Sequence, residues 1–260
     1  MTYFGFLAVF LVIPILLFLF VARRDDRQRR QIPGFKNGSA VWFAIGLHML
    51  VAVIYTTPWD NYLVATGVWT YDPELVTGLV IGYVPIEEYT FFLLETLLAG
   101  LIWWALARRL RPGAPFVPSK SLRSWSAAGL GAAWLAAVVA LLVGYAPATY
   151  LAITLAWALP PIGLQLVFGA DILWRHRGLV GWAIVPLTVY LCLADSLAIA
   201  SGTWTIAPGA STGLFLGALP LEEAVFFLLT DILIVFGITL LLAGESSARY
   251  QQLAASIPKR

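Results

Sequence analysis

Two stretches decide how this chain is read. One is Pro85-Ile86-Glu87-Glu88-Tyr89-Thr90-Phe91-Phe92-Leu93-Leu94. The other, 135 residues on, is Pro220-Leu221-Glu222-Glu223-Ala224-Val225-Phe226-Phe227-Leu228-Leu229. Each places a proline and two adjacent glutamates near the head of a long apolar run, and about 20 such residues cross the hydrocarbon core of a bilayer. Upstream the match continues without gaps. Tyr55 pairs with Tyr190, Asp60 with Asp195, Gly67-Val68-Trp69-Thr70 with Gly202-Thr203-Trp204-Thr205, Pro73 with Pro208, Thr77-Gly78 with Thr212-Gly213, and Gly82 with Gly217. At a longer offset, Tyr3 and Pro14 align with Tyr150 and Pro161.

Composition agrees with a membrane location. Hydrophobic residues make up 60% of the chain and charged residues 12%, and mean hydropathy is +0.85; soluble domains carry roughly 25% charge. Apolar runs at 3–22, 39–57, 78–107, 125–144, 149–169, 179–200 and 213–242 predict about seven spans in an all-α integral membrane protein. Every Lys and Arg falls on one side of that topology. The first loop holds Arg23, Arg24, Arg27, Arg29, Arg30 and Lys36; the third holds Arg108, Arg109, Arg111, Lys120 and Arg123; the fifth holds Arg175 and Arg177; and the tail holds Arg249, Lys259 and Arg260. Positive charge stays in the cytoplasm, so the N-terminus is expected outside the cell membrane and the C-terminus inside.

The opening Met1-Thr2-Tyr3-Phe4 lacks the basic head of a cleavable signal peptide, so a retained first helix is expected. Basic residues in loops, without aromatic interleaving, point away from nucleic acid. Cys192 is the single cysteine and precludes an intramolecular disulfide. Asp25-Asp26, among arginines, reads as a solvated face.

The repeat divides the chain into a first three-helix unit at 1–110, a cytoplasmic loop and connector helix at 111–147, and a second unit with the C-terminal tail at 148–260. Three is odd, so the connector is what makes the two units parallel, with pseudo-symmetry along the membrane normal.

Four intramembrane carboxyl groups, Glu87, Glu88, Glu222 and Glu223, are costly to insert, each by ~2.5–3.5 kcal/mol. Burial favours the protonated form, and two neighbouring carboxylates favour it further, so a pair can offer an acid and a base together. Their depth has two readings. A long kinked helix puts them near the midplane; a helix starting at Pro85 or Pro220, a residue suited to first helical positions, puts them in its first turn behind an interfacial Gly-rich piece. The second is preferred. Glu88, Phe91, Phe92 and Glu95 share one helix face, as do Glu223, Phe226 and Phe227, with Asp231 one position past the match to Glu95. Aromatic faces beside an acid suit a carbocation, though Phe pairs at this spacing also serve as core packing. Trp69 and Trp204 read as belt or pocket residues, and Asp60 and Asp195 as pocket residues or helix N-caps.

His48 and His176 are the two histidines, and no Glu-x-x-His supports a di-iron site. No Gly-x-Gly-x-x-Gly follows a strand, and no aspartate-rich cluster suits magnesium and a diphosphate. No cofactor and no metal are expected.

Pro-x-Glu-Glu occurs twice, each time preceded by Trp-Thr and Gly-x-x-x-Gly and followed by Phe-Phe. This pattern resembles the lycopene cyclase domain of bacteria, archaea and fungi, in the form that fuses two halves in one chain. The resemblance implies a lipid-dissolved substrate, lycopene or a relative with an acyclic ψ end, and redox-neutral chemistry. An acid protonates the terminal alkene, the C5–C6 double bond closes a six-membered ring, and a base removes a proton; a β ring is the expected type. It implies acid–base work for Glu87, Glu88, Glu222 and Glu223. The end group would be held by Phe91, Phe92, Phe226, Phe227, Trp69, Trp204, Asp60 and Asp195, and association with other carotenoid enzymes is implied as well. Many fungal relatives add a phytoene synthase domain, which is not found before Arg260. Two other classes compete. Parallel repeats with buried carboxyls also describe a proton- or cation-coupled transporter, although seven spans are few for one and none of them, as bounded above, holds Lys or Arg. A non-catalytic carotenoid- or lipid-binding protein would keep the pocket without needing both members of each Glu pair.

Overall fold

The computed structural model describes residues 1–111 and 115–256; Lys259 and Arg260, placed above in the basic tail, lie outside the described residues. Seven of its helices are long and apolar enough to cross a membrane. They are α1 (Tyr3–Arg27), α2 (Ser39–Ala65), α3 (Ile86–Ala107), α4 (Lys120–Val143), α5 (Thr149–Arg175), α6 (Arg177–Ala200) and α7 (Leu221–Leu242); a short α8 (Gly244–Ala255) follows. At 1.5 Å per residue a 22-residue helix such as α3 or α7 extends about 33 Å, enough to span the core.

The two Glu-bearing helices form the centre. They have the largest buried share of any span, and α1, α2, α5 and α6 pack around them, while α4 lies outside against α5 with only Ala137 buried. Both central helices begin at the residue after proline, Ile86 or Leu221. The runs that start at Gly78 and Gly213 are therefore not continuous helix, and the shorter of the two depth readings describes them.

Six short strands, which the hydropathy pattern did not suggest, occupy one end of the bundle. β2 (Val80–Ile81) and β3 (Val84–Pro85) make a hairpin into α3, and β5 (Phe215–Leu216) and β6 (Leu219–Pro220) make the same hairpin into α7. Each loop has two residues and opens with a left-handed glycine, Gly82 (φ 70°) or Gly217 (φ 69°), which is what a type II′ turn requires. Between the hairpins, β1 (Trp69–Tyr71) pairs antiparallel with β4 (Trp204–Ile206), with Thr70 opposite Thr205 and their hydroxyls 2.8 Å apart.

The two glycines differ in surroundings. A Cβ at Gly82 would sit 2.1 Å from Asn61 Oδ1, which accepts the Tyr83 N–H at 2.8 Å; nothing lies within 4 Å of one at Gly217. Gly217→Ala is therefore expected to cost about 1–2 kcal/mol from backbone strain alone. Gly82→Ala should cost clearly more, read as the larger drop in thermal unfolding temperature in detergent.

Prolines inside α1 and α5 leave helical carbonyls without a donor, and tyrosines from elsewhere supply one. Pro14 frees the Phe10 carbonyl, which accepts from Tyr190 Oη at 3.0 Å; Pro161 frees that of Trp157, which accepts from Tyr55 Oη at 2.8 Å. Trp134 Nε1 does the same for Ala156 (3.2 Å), four residues before Pro160. Tyr55→Phe should destabilise the fold by about 1–3 kcal/mol through the orphaned carbonyl, measured by thermal unfolding; an unchanged midpoint would count against this role.

The loops bearing Lys and Arg meet at the other end. Gly34 to Lys36 pairs with the α7–α8 junction, through Lys36 N to Leu242 O (2.9 Å) and Gly244 N to Gly34 O (2.9 Å). Here Asp25 departs from the solvated face expected of it. It is 1% exposed and accepts from Arg109 at 2.7 and 3.1 Å, because Arg109 and Arg30 are close enough to neutralise it as the chain packs; Asp26, at 53% side-chain exposure, stays at the surface.

Candidate functional site

The site begins with two helix starts. Because Pro85 and Pro220 end their hairpins in extended backbone, the residues that follow fall in the first turn of α3 and α7, whose free N–H groups favour negative charge. All four glutamates there are buried, at 0–2% exposure.

Within each pair the two members turn different ways. Glu87 Oε1 accepts the Thr77 N–H at 2.6 Å, and Glu222 Oε1 accepts the Thr212 N–H at 2.6 Å together with the Thr212 hydroxyl at 2.8 Å and that of Ser211 at 3.2 Å. These two tie the preceding loop to the helix. Glu88 and Glu223 point into the bundle toward tyrosines. Tyr3 Oη and Tyr71 Oη (3.2 Å) donate to Glu88 Oε2, and Tyr150 Oη donates to Glu223 Oε1 at 2.7 Å. Burial and the adjacent Glu88 hold the Tyr71 phenol well above its ordinary pKa, so it remains a donor.

Asp60, Glu95, Asp195 and Glu223 lie within electrostatic reach of Glu88. Among the described residues none of these five groups, nor Glu87, Glu222 or Asp231, is ion-paired. A buried carboxyl without a cation is far cheaper to keep neutral than charged, so the cluster is suited to holding and passing protons.

Asp60 and Asp195 are not N-caps. Both lie inside helices, α2 and α6, near their C-terminal ends; α2 runs past the boundary expected from hydropathy, and Asp195 falls within the span expected at 179–200. Trp204 Nε1 donates to Asp195 Oδ1 at 2.8 Å. The corresponding Asp60 and Trp69 do not pair, and both Asp60 oxygens and the Trp59 and Trp69 Nε1 groups are buried without a hydrogen-bond partner among the described residues.

The phenylalanines separate into two sets. Phe91 and Phe227 meet edge-on at 6.2 Å in the core. Phe92 and Phe226 line a cavity of about 240 Å³ between α2, α3, α5 and α7. Phe226 also stacks on Trp59 (5.4 Å, 3°), which stacks on Trp157 (4.8 Å). Val51, Tyr55 and Trp157 are shared with a larger open groove of about 650 Å³ on the outer face of α2, α4 and α5. The cavity therefore adjoins a surface that faces lipid in a bilayer.

Several site residues were not singled out from sequence. Tyr3 and Tyr150 carried a signal, since they match each other in the repeat; their reach to the glutamates was not legible because the partners lie 85 and 73 positions apart in the chain. Trp157, Gln165 and His48 line the cavity without any repeat signal.

Comparison with known proteins fits this geometry. The family described as lycopene cyclase matches residues 1–105 and 147–242. A lycopene beta-cyclase of Halobacterium salinarum is 38% identical over 241 residues, covering 92% of this chain and 95% of that protein. Bifunctional lycopene cyclase/phytoene synthases of Podospora anserina (38% identity) and Phycomyces blakesleeanus (36%) match over 74% and 72% of this chain, which spans about a third of their length. No solved structure matches.

Proposed function

Because the chain belongs to the lycopene cyclase family, we propose that it closes the acyclic ψ ends of lycopene, or of a close relative, into six-membered rings of the β type. The reaction is an isomerisation, so protons move and no electrons leave the substrate. The observation that carries this reading is the set of glutamates buried at 0–2% exposure in an apolar bundle, with no ion pair to a cation among the described residues.

Glu87, Glu88, Glu222 and Glu223 do the acid–base work. Within each pair, Glu88 and Glu223 move the proton, because their oxygens face tyrosine hydroxyls that can restore it. Glu87 and Glu222 fix the helix start that aims their neighbours. Aromatic walls stabilise the intermediate cation much as they stabilise an ammonium group. The polyene reaches the site from the bilayer, along the groove between α2, α4 and α5. The basic end of the bundle faces the cytoplasm and the hairpin end faces outward, with Leu79, Val80, Ile81 and Tyr83 exposed at the interface. The two halves act as parallel units around α3 and α7, with α4 as connector. The relatives named above give no support to a transporter.

Expression in a lycopene-accumulating bacterium tests the proposal. Monocyclic or bicyclic carotenes should appear on a chromatogram of the pigments; unchanged lycopene, with the protein present in the membrane, would refute it.

A further inference from the structure

One carboxyl group that lines the cavity belongs to neither Glu pair. Glu95, on α3, is 3% exposed and forms part of the wall with Phe92, Trp157, Phe226, His48 and Gln165. We propose that Glu95 is the group that meets the end of the substrate and delivers the ring-closing proton in this cavity. The proposal rests on the cyclase reading above and adds the place where the reaction occurs.

Three observations carry it. The first is volume: about 240 Å³ falls below the ~300–1,000 Å³ of pockets that enclose a whole drug-sized ligand. The cavity is sized for the branched end of a polyene, with the remainder lying in the adjoining groove.

The second is asymmetry. By the sequence match, His48, Thr56 and Glu95 correspond to Ala183, Leu191 and Thr230, and Gln165 and Trp157 correspond to Phe18 and Phe10. The counterpart groove, between α1, α3 and α6, is lined by residues such as Pro14, Phe18, Leu98, Pro186 and Tyr190, and no carboxyl group lines it among the described residues. Only one of the two related positions keeps an acid at its wall.

The third is the hydrogen bond to Thr230. Its hydroxyl lies 2.8 Å from Glu95 Oε1 and 3.1 Å from the Phe227 carbonyl. A hydroxyl has one hydrogen and two lone pairs. Directed at Phe227, it leaves a lone pair to accept from protonated Glu95; directed at Glu95, it donates to the carboxylate. Both states of the acid are satisfied without moving a heavy atom.

In the step itself, the Glu95 O–H bond breaks and the terminal alkene's π pair forms a C–H bond, leaving a tertiary cation. The next alkene's π pair closes the ring, and the cation shifts to a ring carbon. A neighbouring C–H bond breaks, its electrons form the ring double bond, and its proton passes to a carboxylate. One proton is taken up and one is released. Glu88, about 10 Å along the same helix face and within electrostatic reach, is placed to reset Glu95.

The test is Glu95→Gln in the lycopene-accumulating bacterium, with membrane protein quantified. Glutamine retains a carbonyl for the Thr230 hydroxyl but offers no acidic proton, so rings should fall by about 100-fold or more at unchanged protein level. A second comparison uses shape. Val51→Trp fills the cavity from its lipid edge and should abolish ring formation; Val21→Trp narrows the counterpart groove and should leave it intact. Rings from Glu95→Gln at the wild-type rate, or sensitivity to Val21→Trp but not to Val51→Trp, would overturn this proposal alone. Absence of rings from the unaltered chain would overturn the cyclase reading and this proposal with it.

Discussion

A chain carrying Glu88→Gln is expected to leave lycopene acyclic, with ring formation down by about 10²–10⁴-fold, the range that a positioned acid or base contributes. Glutamine can still accept the hydrogen bonds that Tyr3 and Tyr71 make to Glu88 Oε2, so the tyrosines keep an acceptor and only the transferable proton is lost. Glu223→Gln should behave in the same direction, since Tyr150 holds Glu223 in the corresponding way. Glu87→Gln and Glu222→Gln should lose less, because their bonds to Thr77 and Thr212 fix a loop, and an amide oxygen accepts those N–H groups equally well. The measurement is carotene composition per unit of membrane-inserted protein. Full activity in both Glu88→Gln and Glu223→Gln would remove these residues from the chemistry.

The largest effect on stability is expected at Asp171, far from the Glu pairs. It is 3% exposed and accepts from both terminal nitrogens of Arg249, at 2.8 and 2.7 Å, and from the Ser119 N–H at 2.9 Å. It thereby joins α5, the approach to α4, and α8, next to the point where Gly169 breaks the helix (φ −152°). Asp171→Asn removes the charge and leaves Arg249 half-buried without a counter-ion, and breaking such a pair from one side costs about 3–5 kcal/mol. Asp26→Asn should cost less, because the Asp26 carboxylate is 53% exposed and Arg108, although buried, keeps the Ala22 carbonyl and the Trp104 ring face as partners. Thermal unfolding in detergent of the two variants side by side should show a large drop for Asp171→Asn, whose carboxylate is enclosed, and a smaller one for Asp26→Asn, whose carboxylate is half in solvent. Equal drops would mean that burial does not govern these pairs.

Much of this was legible in the sequence because membranes impose strong rules. Seven spans follow from hydropathy, since backbone groups in lipid must be satisfied within helices. The proline-led start of α3 and α7 follows from a residue that fits the beginning of a helix. What stayed hidden depends on distance in the chain. Nothing local shows that Tyr3 reaches Glu88, that Trp134 serves the Ala156 carbonyl freed by Pro160, or that Asp25 is enclosed by Arg109 and Arg30. One helix end misled for a related reason: Pro58 lies inside α2, where neighbouring helices tolerate a missing donor, so α2 runs on to Ala65 and Asp60 sits within it, as Asp195 does within α6. The cavity was also out of reach, because Glu95, Trp157 and Gln165 come from helices that are brought together only by the packing of α5 on α7 beside α2 and α3.

The central claim, that buried carboxyl groups exchange a proton with the end of a polyene and take nothing else from it, has one direct test. Purified protein in lipid vesicles loaded with lycopene would be incubated in D₂O, without added nucleotide or flavin, and the carotenes weighed by mass spectrometry. Cyclic products carrying one deuterium for each ring formed, and otherwise isomeric with lycopene, are predicted. Lycopene left acyclic while the protein remains folded, or rings that form without taking up deuterium, would contradict the account.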